Sequence, residues 1–452
     1  MFSPLIHPRG RRLALPASAQ LRLLYGLFFV AGVAQAAIVP LLPRLSGRFD
    51  LSASQTALLL ALPGLATLAV SVPSGLAADR LGARRVTLGA AVLLCLSCAA
   101  QAAPSLPLLL IGRIGFGVAF GVVWTSGMAW LADLAEPAGR SGLGPSVTCS
   151  SVGIMVGPAV GGILAQDAGL GAPFAAIAAA TAVIVVALLG GTAETELPRS
   201  RPVSPSERPL EIAYPQPVIA DRPAITPRVL LAVVRRPQVS AAAGALVISG
   251  AVSSASQLLV SDGLHRLGLS SARIGLAFSA AAICYIVVSA VVVRLGARAH
   301  TLRCNALAAV ALAVALLPAV AGDGFVALVI ALLLSSGPRA VISTIAYSLA
   351  SGEPADGGVS SRRSGERGAS TRPSGEGRSD GVVFGMLNGA WAAATVLMPL
   401  LAGAVEQHGG VRAGYVAVVV PSCAVAAWLV VRARADGTEA PVRSGIVQHV
   451  LR

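Results

Sequence analysis

Long apolar blocks separated by short polar interruptions run almost from end to end of the chain. Twelve of them fall at 21–43, 54–77, 86–104, 107–132, 143–165, 173–192, 239–260, 271–293, 302–321, 324–349, 382–404 and 411–432. Crossing a bilayer as a helix takes ~20 apolar residues, and these blocks meet or approach that length. They lack period-two alternation and exceed the ~10 residues of a barrel strand, so they predict helices. A helix satisfies its own backbone polar groups in lipid, where water does not. The pattern predicts an all-α membrane protein with twelve transmembrane helices. Two segments break it. Residues 193–238, rich in Pro, Arg and Glu, cannot bury a core and separate six blocks from six. Residues 351–381 combine Ser and Gly with five basic and five acidic side chains, which predicts a disordered insertion between the tenth and eleventh helices. A plain solvated loop and a regulatory or lipid-binding segment are both open for it.

A repeat organises the blocks. Arg80-Leu81-Gly82-Ala83-Arg84 recurs as Arg294-Leu295-Gly296-Ala297-Arg298, 214 residues later, each copy following an apolar block. The offset maps the second helix onto the eighth. The halves are therefore expected to be parallel repeats about an axis along the membrane normal. The resulting map is an N-terminal tail (1–20), a six-helix bundle (21–192), a linker (193–238), a second bundle (239–433) holding the insertion, and a C-terminal tail (434–452).

Composition narrows the class. The chain is 55% apolar and only 12% charged, with mean hydropathy +0.78, against about 25% charged residues in a soluble protein. All 34 basic residues are Arg. If the N-terminus and even-numbered loops are cytoplasmic, Arg44, Arg48, Arg266, Arg273 and Arg412 lie outside and Arg113 and Arg339 within helices. The other 27 lie inside, as the positive-inside rule expects. A multi-pass protein of the cell (inner) membrane with both termini cytoplasmic is expected. The net charge of +14 then reflects topology and anionic lipid, not nucleic acid, since no soluble basic domain exists to carry one. Without Lys there is no phosphate-loop or Schiff-base lysine. The six cysteines, the Cys95/Cys98 pair included, fall inside apolar blocks and read as small core residues. No metal or cofactor is expected. Arg11-Arg12 before the first block reads as its inside anchor, not an export signal.

Three stretches carry more specific information. Gly75-Leu76-Ala77-Ala78-Asp79-Arg80-Leu81-Gly82-Ala83-Arg84-Arg85 resembles the loop 2–3 signature of the major facilitator superfamily. Gly75 is expected to let helix two approach a neighbour closely, and Gly82 to supply the φ > 0 of a tight hairpin. The resemblance implies that Asp79, Arg80, Arg84 and Arg85, with Asp133 at the inner end of helix four, latch the two halves together in an outward-facing state. The second copy has Val293 where the first has Asp79, so the matching latch in the other half is degenerate. Gly153-Ile154-Met155-Val156-Gly157-Pro158-Ala159-Val160-Gly161-Gly162 matches the helix-five pattern of the superfamily's drug:proton antiporter branch. Gly153, Gly157 and Gly161 at four-residue spacing predict a groove for another backbone, and Pro158 a bend. Arg113, in Gly112-Arg113-Ile114-Gly115-Phe116-Gly117, resembles the family's helix-four arginine implicated in proton coupling. An arginine tied to backbone carbonyls that fixes helix packing is the other reading. Arg339 in helix ten raises the same choice without a matching motif. Gln35 precedes a Pro40-x-x-Pro43 ending that resembles drug exporters, and both cavity and packing roles are open for it.

The implied architecture is the major facilitator fold, two pseudo-symmetric six-helix bundles around a cavity lined by helices 1, 4, 7 and 10. Gln35, Arg113, Gln257, Arg339, Asn388 and Trp391 are its candidate polar points. The implied function is secondary transport by a monomer: proton-coupled efflux of a small amphiphilic drug or metabolite, with no enzymatic activity. An importer of a sugar or small organic anion, clamped by Arg113 and Arg339, is the alternative within the superfamily. A membrane transferase would need an interfacial polar cluster, and none is evident. No Asp, Glu or His lies well inside a block, so Asp50, Asp262, Glu406 and Asp133 near the helix ends are the acids left to carry a proton.

Overall fold

The computed structural model describes residues 15–135, 143–190, 236–296, 301–351 and 377–438. The described residues form helices and short connections, with no strand among them. The first half comprises α1 (Ala17–Phe49), α2 (Ala53–Leu81), α3 (Ala83–Ala102), α4 (Leu106–Leu134), α5 (Leu143–Ala168) and α6 (Ala172–Gly190). The second comprises α7 (Pro237–Arg266), α8 (Ser271–Leu295), α9 (Leu302–Ala321) and α10 (Phe325–Ser351), followed by Gly377–Thr438. That last element breaks at Gly410, whose φ of 77° is not helical. Unbroken, its 50-residue apolar stretch would reach about 75 Å, more than twice the ~30 Å hydrocarbon core. Gly414 instead packs back on Ala402 and Glu406, so 377–409 (α11) and 411–438 (α12) are antiparallel arms and the described residues hold twelve long helices.

Two expectations need correction. Residues 377–381, assigned to the insertion, begin α11, while 352–376 lie outside the described residues. Residues 237 and 238, assigned to the linker, open α7, where Pro237 fits the first helical position because its missing N–H has no intrahelical acceptor there. The first helix also runs past its expected end at 43. It passes through a 3₁₀ turn at Val39–Leu41 and continues as Leu42–Phe49, fastened where the Arg44 Nη1 donates to Ala165 O at 2.9 Å.

Connections repeat between the halves beyond the Arg-Leu-Gly-Ala-Arg pentapeptide. Gly82 (φ 89°) and Gly296 (φ 54°) end α2 and α8 in conformations that favour glycine. At the other end, Asp50-Leu51-Ser52 matches Gly268-Leu269-Ser270. Asp50 and Gly268 have φ of 51° and 81°, and each serine caps the following helix, Ser52 receiving Gln55 N and Ser270 receiving Arg273 N. This second offset is 218 residues against 214 for the first. The difference of four equals the shortening from 29 residues in α2 to 25 in α8, about one helical turn.

Candidate functional site

Several close contacts between the halves gather at one end. Gly162 packs on Ser271 and Gly275 on Pro158, joining α5 to α8, and the Ala159 N–H donates to Ser279 Oγ at 3.1 Å. Gly64 and Gly403 pack α2 against α11, and the Ser54 hydroxyl donates to Gln407 Oε1 at 2.7 Å. The Ser261 hydroxyl donates to Val39 O at 2.8 Å, joining α7 to α1. Pro43 has no N–H to offer the carbonyl four residues back, so within its own helix Val39 O receives the Leu42 N–H of the 3₁₀ turn and keeps a lone pair for Ser261. All of these contacts lie toward the Asp50 end. At the opposite, arginine-rich end Leu76, Leu81, Val293 and Leu295 are exposed.

A group of polar side chains, the candidate pocket, begins directly beneath the Val39–Ser261 contact. Gln35 and Gln257 each lie four residues, one turn, below the two bonded residues, so the two amides stand at one depth on facing helices. Between Ala31 and Pro43 every residue is buried except Gln35. Gly250, Ser253 and Gln257 share one face of α7. The Arg339 Nη2 donates to Ser253 Oγ at 2.6 Å, and its guanidinium lies 5.8 Å from the Tyr285 ring centroid. Trp391, 41% exposed, sets its backbone and ring edge against Gly250, and Asn388 is one turn away on α11. The structure thus brings Gln257, Arg339, Trp391 and Asn388 together around α7, with Gln35 opposite. Ser253 and Tyr285 complete the group and were not singled out from the sequence, where a serine within a run of small residues and a tyrosine in an apolar block give no signal. An apolar groove of about 730 Å³ between α8, α9 and α10 lies on another face of Pro338 and Cys284, away from this pocket.

Arg113 is not part of the pocket. It is 1% exposed and sits in the α2/α4 seam, where its Nε donates to Leu59 O at 3.2 Å and its guanidinium lies 5.7 Å from the Phe116 ring centroid. Its placement among the cavity residues is therefore corrected. Pro63 is the cause: it deprives Leu59 O of its helical partner, and the arginine supplies one. One turn along, Gly117 packs on the Pro63 backbone, and the Thr67 hydroxyl donates to Gly117 O at 2.8 Å. The α4 helix then widens into a π-turn at Val123–Gly127, a distortion common at functional positions.

The helix-five glycines have the close contacts expected of them. A methyl at Gly153, Gly157 or Gly161 would fall on the carbonyls of Phe29, Val33 or Ala37 of α1, and Gly162 faces α8 instead. At the arginine-rich end the pieces of the expected latch stand apart. Asp79 and Asp133 are exposed and, among the described residues, neither pairs with an arginine. Arg80 and Arg85 are exposed as well, and Arg84 stacks 5.8 Å from the Trp130 ring centroid. Gly75 has open space where a close neighbour is expected. Near the closed end, Arg266 lies 2.6 Å from Asp262 and 3.1 Å from Glu406, tying α7 to α11. Among the described residues no cluster of metal-binding side chains occurs.

Comparison with known proteins agrees on the class of molecule. A model of the Major Facilitator Superfamily matches residues 24–360. The MFS-type transporter ppzB of the fungus Metarhizium rileyi is 34% identical over 154 residues, 32% of each chain. The match thus spans about a third of the length of that relative. A bacterial homolog of the human lysosomal transporter Spinster, solved inward-facing and unoccupied, superposes with TM-score 0.67 at 14% identity, covering 92% of this chain and 97% of that one. The human organic anion transporter MFSD10 gives 0.54 at 20% identity, covering 92% and 100%.

Proposed function

Since this chain belongs to the major facilitator superfamily of membrane transporters, we propose that it exports a small amphiphilic solute by alternating access, driven by protons. The observation that carries the reading is a group of polar side chains beneath the contacts that join the halves at the Asp50 end, while Asp79 and Asp133 stand exposed at the arginine-rich end. With arginine-rich loops in the cytoplasm, this is a state loaded from inside. Rocking the halves about the pocket would close the Gly75–Asp79 region and open the α5/α8 and α2/α11 seams. Asp79, Arg80, Gly82, Arg84, Arg85 and Asp133 would then hold the outward-facing state. The face of Gly153, Gly157 and Gly161 would let α5 travel as one body with α1, with Pro158 bending it and Gly162 on the α8 side. The exposed Trp391 ring beside few polar side chains suits a solute with an apolar body.

Proton coupling rests on the antiporter-type helix-five pattern. Toward the closed end, Asp262 of α7 and Glu406 of α11 share Arg266 and are the acids proposed to take the proton. A proton crossing 100 mV yields about 2.3 kcal/mol, enough for a substantial solute gradient. Counterflow in proteoliposomes without ATP tests the carrier reading. Exchange of an accumulated solute is expected under those conditions, with net efflux, but not exchange, lost when an uncoupler is added. Dependence on ATP would exclude the carrier, and indifference of net efflux to the uncoupler would exclude proton drive.

A further inference from the structure

The geometry points to a solute that carries an anionic group, held by Arg339 with Ser253 and Gln257, while its apolar body lies toward Trp391. The inference rests on the pocket being the solute path. Arg339 stands close to the middle of α10, fourteen residues from Phe325, so its charge lies deep in the apolar slab. A guanidinium at that depth calls for an acceptor of opposite charge. Among the described residues no carboxylate lies within ion-pair distance of it. Its observed partners are a hydroxyl and a ring face, both uncharged, and its Nε is buried with no acceptor among the described residues. Arg113 also keeps one buried nitrogen, Nη1, without an acceptor among the described residues, but it is enclosed in the α2/α4 seam on a proline-freed carbonyl, whereas Arg339 is only half-buried and open to a solute.

The neighbouring groups fit an anion rather than a cation. Ser253 and the Gln257 amide present donors on the same helix face, the latter about one turn toward the closed end. A guanidinium fork suits a carboxylate, sulfonate or phosphate through two parallel hydrogen bonds. Ser253 lies eight residues below Ser261, so the charged end would sit about 12 Å beneath the sealed end. Trp391, one turn from Ser253 by way of Gly250, offers a flat surface for an aromatic body.

The test uses three probes of one shape: 1-naphthoate, 1-naphthalenemethanol and 1-naphthylmethylammonium. Each is titrated into the purified full chain in detergent, and the unfolding midpoint is followed. Naphthoate is expected to stabilise at concentrations at least tenfold below the other two. Arg339→Gln is expected to make the three alike, and Arg339→Lys to keep much of the preference. Should Arg339→Gln fail to fold, Gln257→Glu serves instead: a carboxylate one turn away would occupy the guanidinium and abolish the preference. A wild type that ranks the probes alike or binds none of them, or a folded Arg339→Gln or Gln257→Glu variant that still prefers naphthoate, would overturn the inference. Because this readout is binding, counterflow of an uncharged solute would leave the carrier standing if the anion preference fails.

Discussion

A guanidinium inside a bilayer must find acceptors, and Arg113 finds one because Pro63 has no N–H to give Leu59 O. Truncating it should remove that bond, leave Leu59 O unsatisfied and open a void beside Phe116. Arg113→Ala is expected to cost about 3 kcal/mol. Thermal unfolding of the purified chain should register it as a clear drop in midpoint, whether or not transport survives. An unchanged midpoint would mean that the arginine does not bind α2 to α4. The sequence left Arg113 and Arg339 with the same two readings, since both are arginines in apolar blocks beside glycine or proline. What separates them is the partner across the seam, and a partner on another helix is not visible in local spacing. The proline four residues beyond the acceptor was the available clue. It applies in part to Pro43 and Val39 O: Pro43 removes the four-back donor, and the lone pair that Leu42 N–H does not take is met by Ser261 of the other half.

Helix faces follow the same logic over longer stretches. The α5 glycines were legible because their four-residue spacing fixes a groove whatever fills it, and α1 fills it. Gly75 was read by the same rule, yet it has no neighbour, since a glycine reports that close approach is permitted and not in which state it occurs. The contrast can be tested. Gly157→Leu drives a branched side chain into Val33 O and Ala36 and is expected to abolish folding or halt turnover. Gly75→Ala meets nothing in this state and replaces a poor helix former, so its stability should be equal or up to about 1 kcal/mol higher. Its transport should nonetheless fall if the Gly75 end must close. Expression, unfolding midpoint and counterflow, measured on both variants, separate a packing role from a role in the cycle. Helix ends were less legible than faces. The first helix outran its expected limit because its two prolines are absorbed by a 3₁₀ turn, and α11 began inside the expected insertion.

Between the halves, stability is divided over two ends that open in turn. Here the Asp50 end holds Val39–Ser261, Ser54–Gln407 and Ala159–Ser279, while Asp79 and its arginines are solvated. Weakening one end should therefore shift the population toward the other state without unfolding either bundle. Ser261→Ala removes one hydrogen bond of about 1 kcal/mol, which corresponds to a several-fold shift. Reactivity of a Gln257→Cys probe toward an impermeant reagent from the Asp50 side is expected to rise by that factor. Asp79→Asn should act in the opposite sense. It leaves this state untouched, since Asp79 pairs with no arginine among the described residues, and removes an anion that the outward-facing state would use. Probe reactivity from the Asp50 side should fall and transport should drop, with expression and unfolding midpoint near wild type. The two variants together give opposite changes in one observable, which a simple loss of folded protein cannot produce. If Asp79→Asn turned over at the wild-type rate, the charges around Gly82 would be only a topogenic hairpin. The duplicated glycines at 82 and 296 would then mark where two halves turn, without holding them.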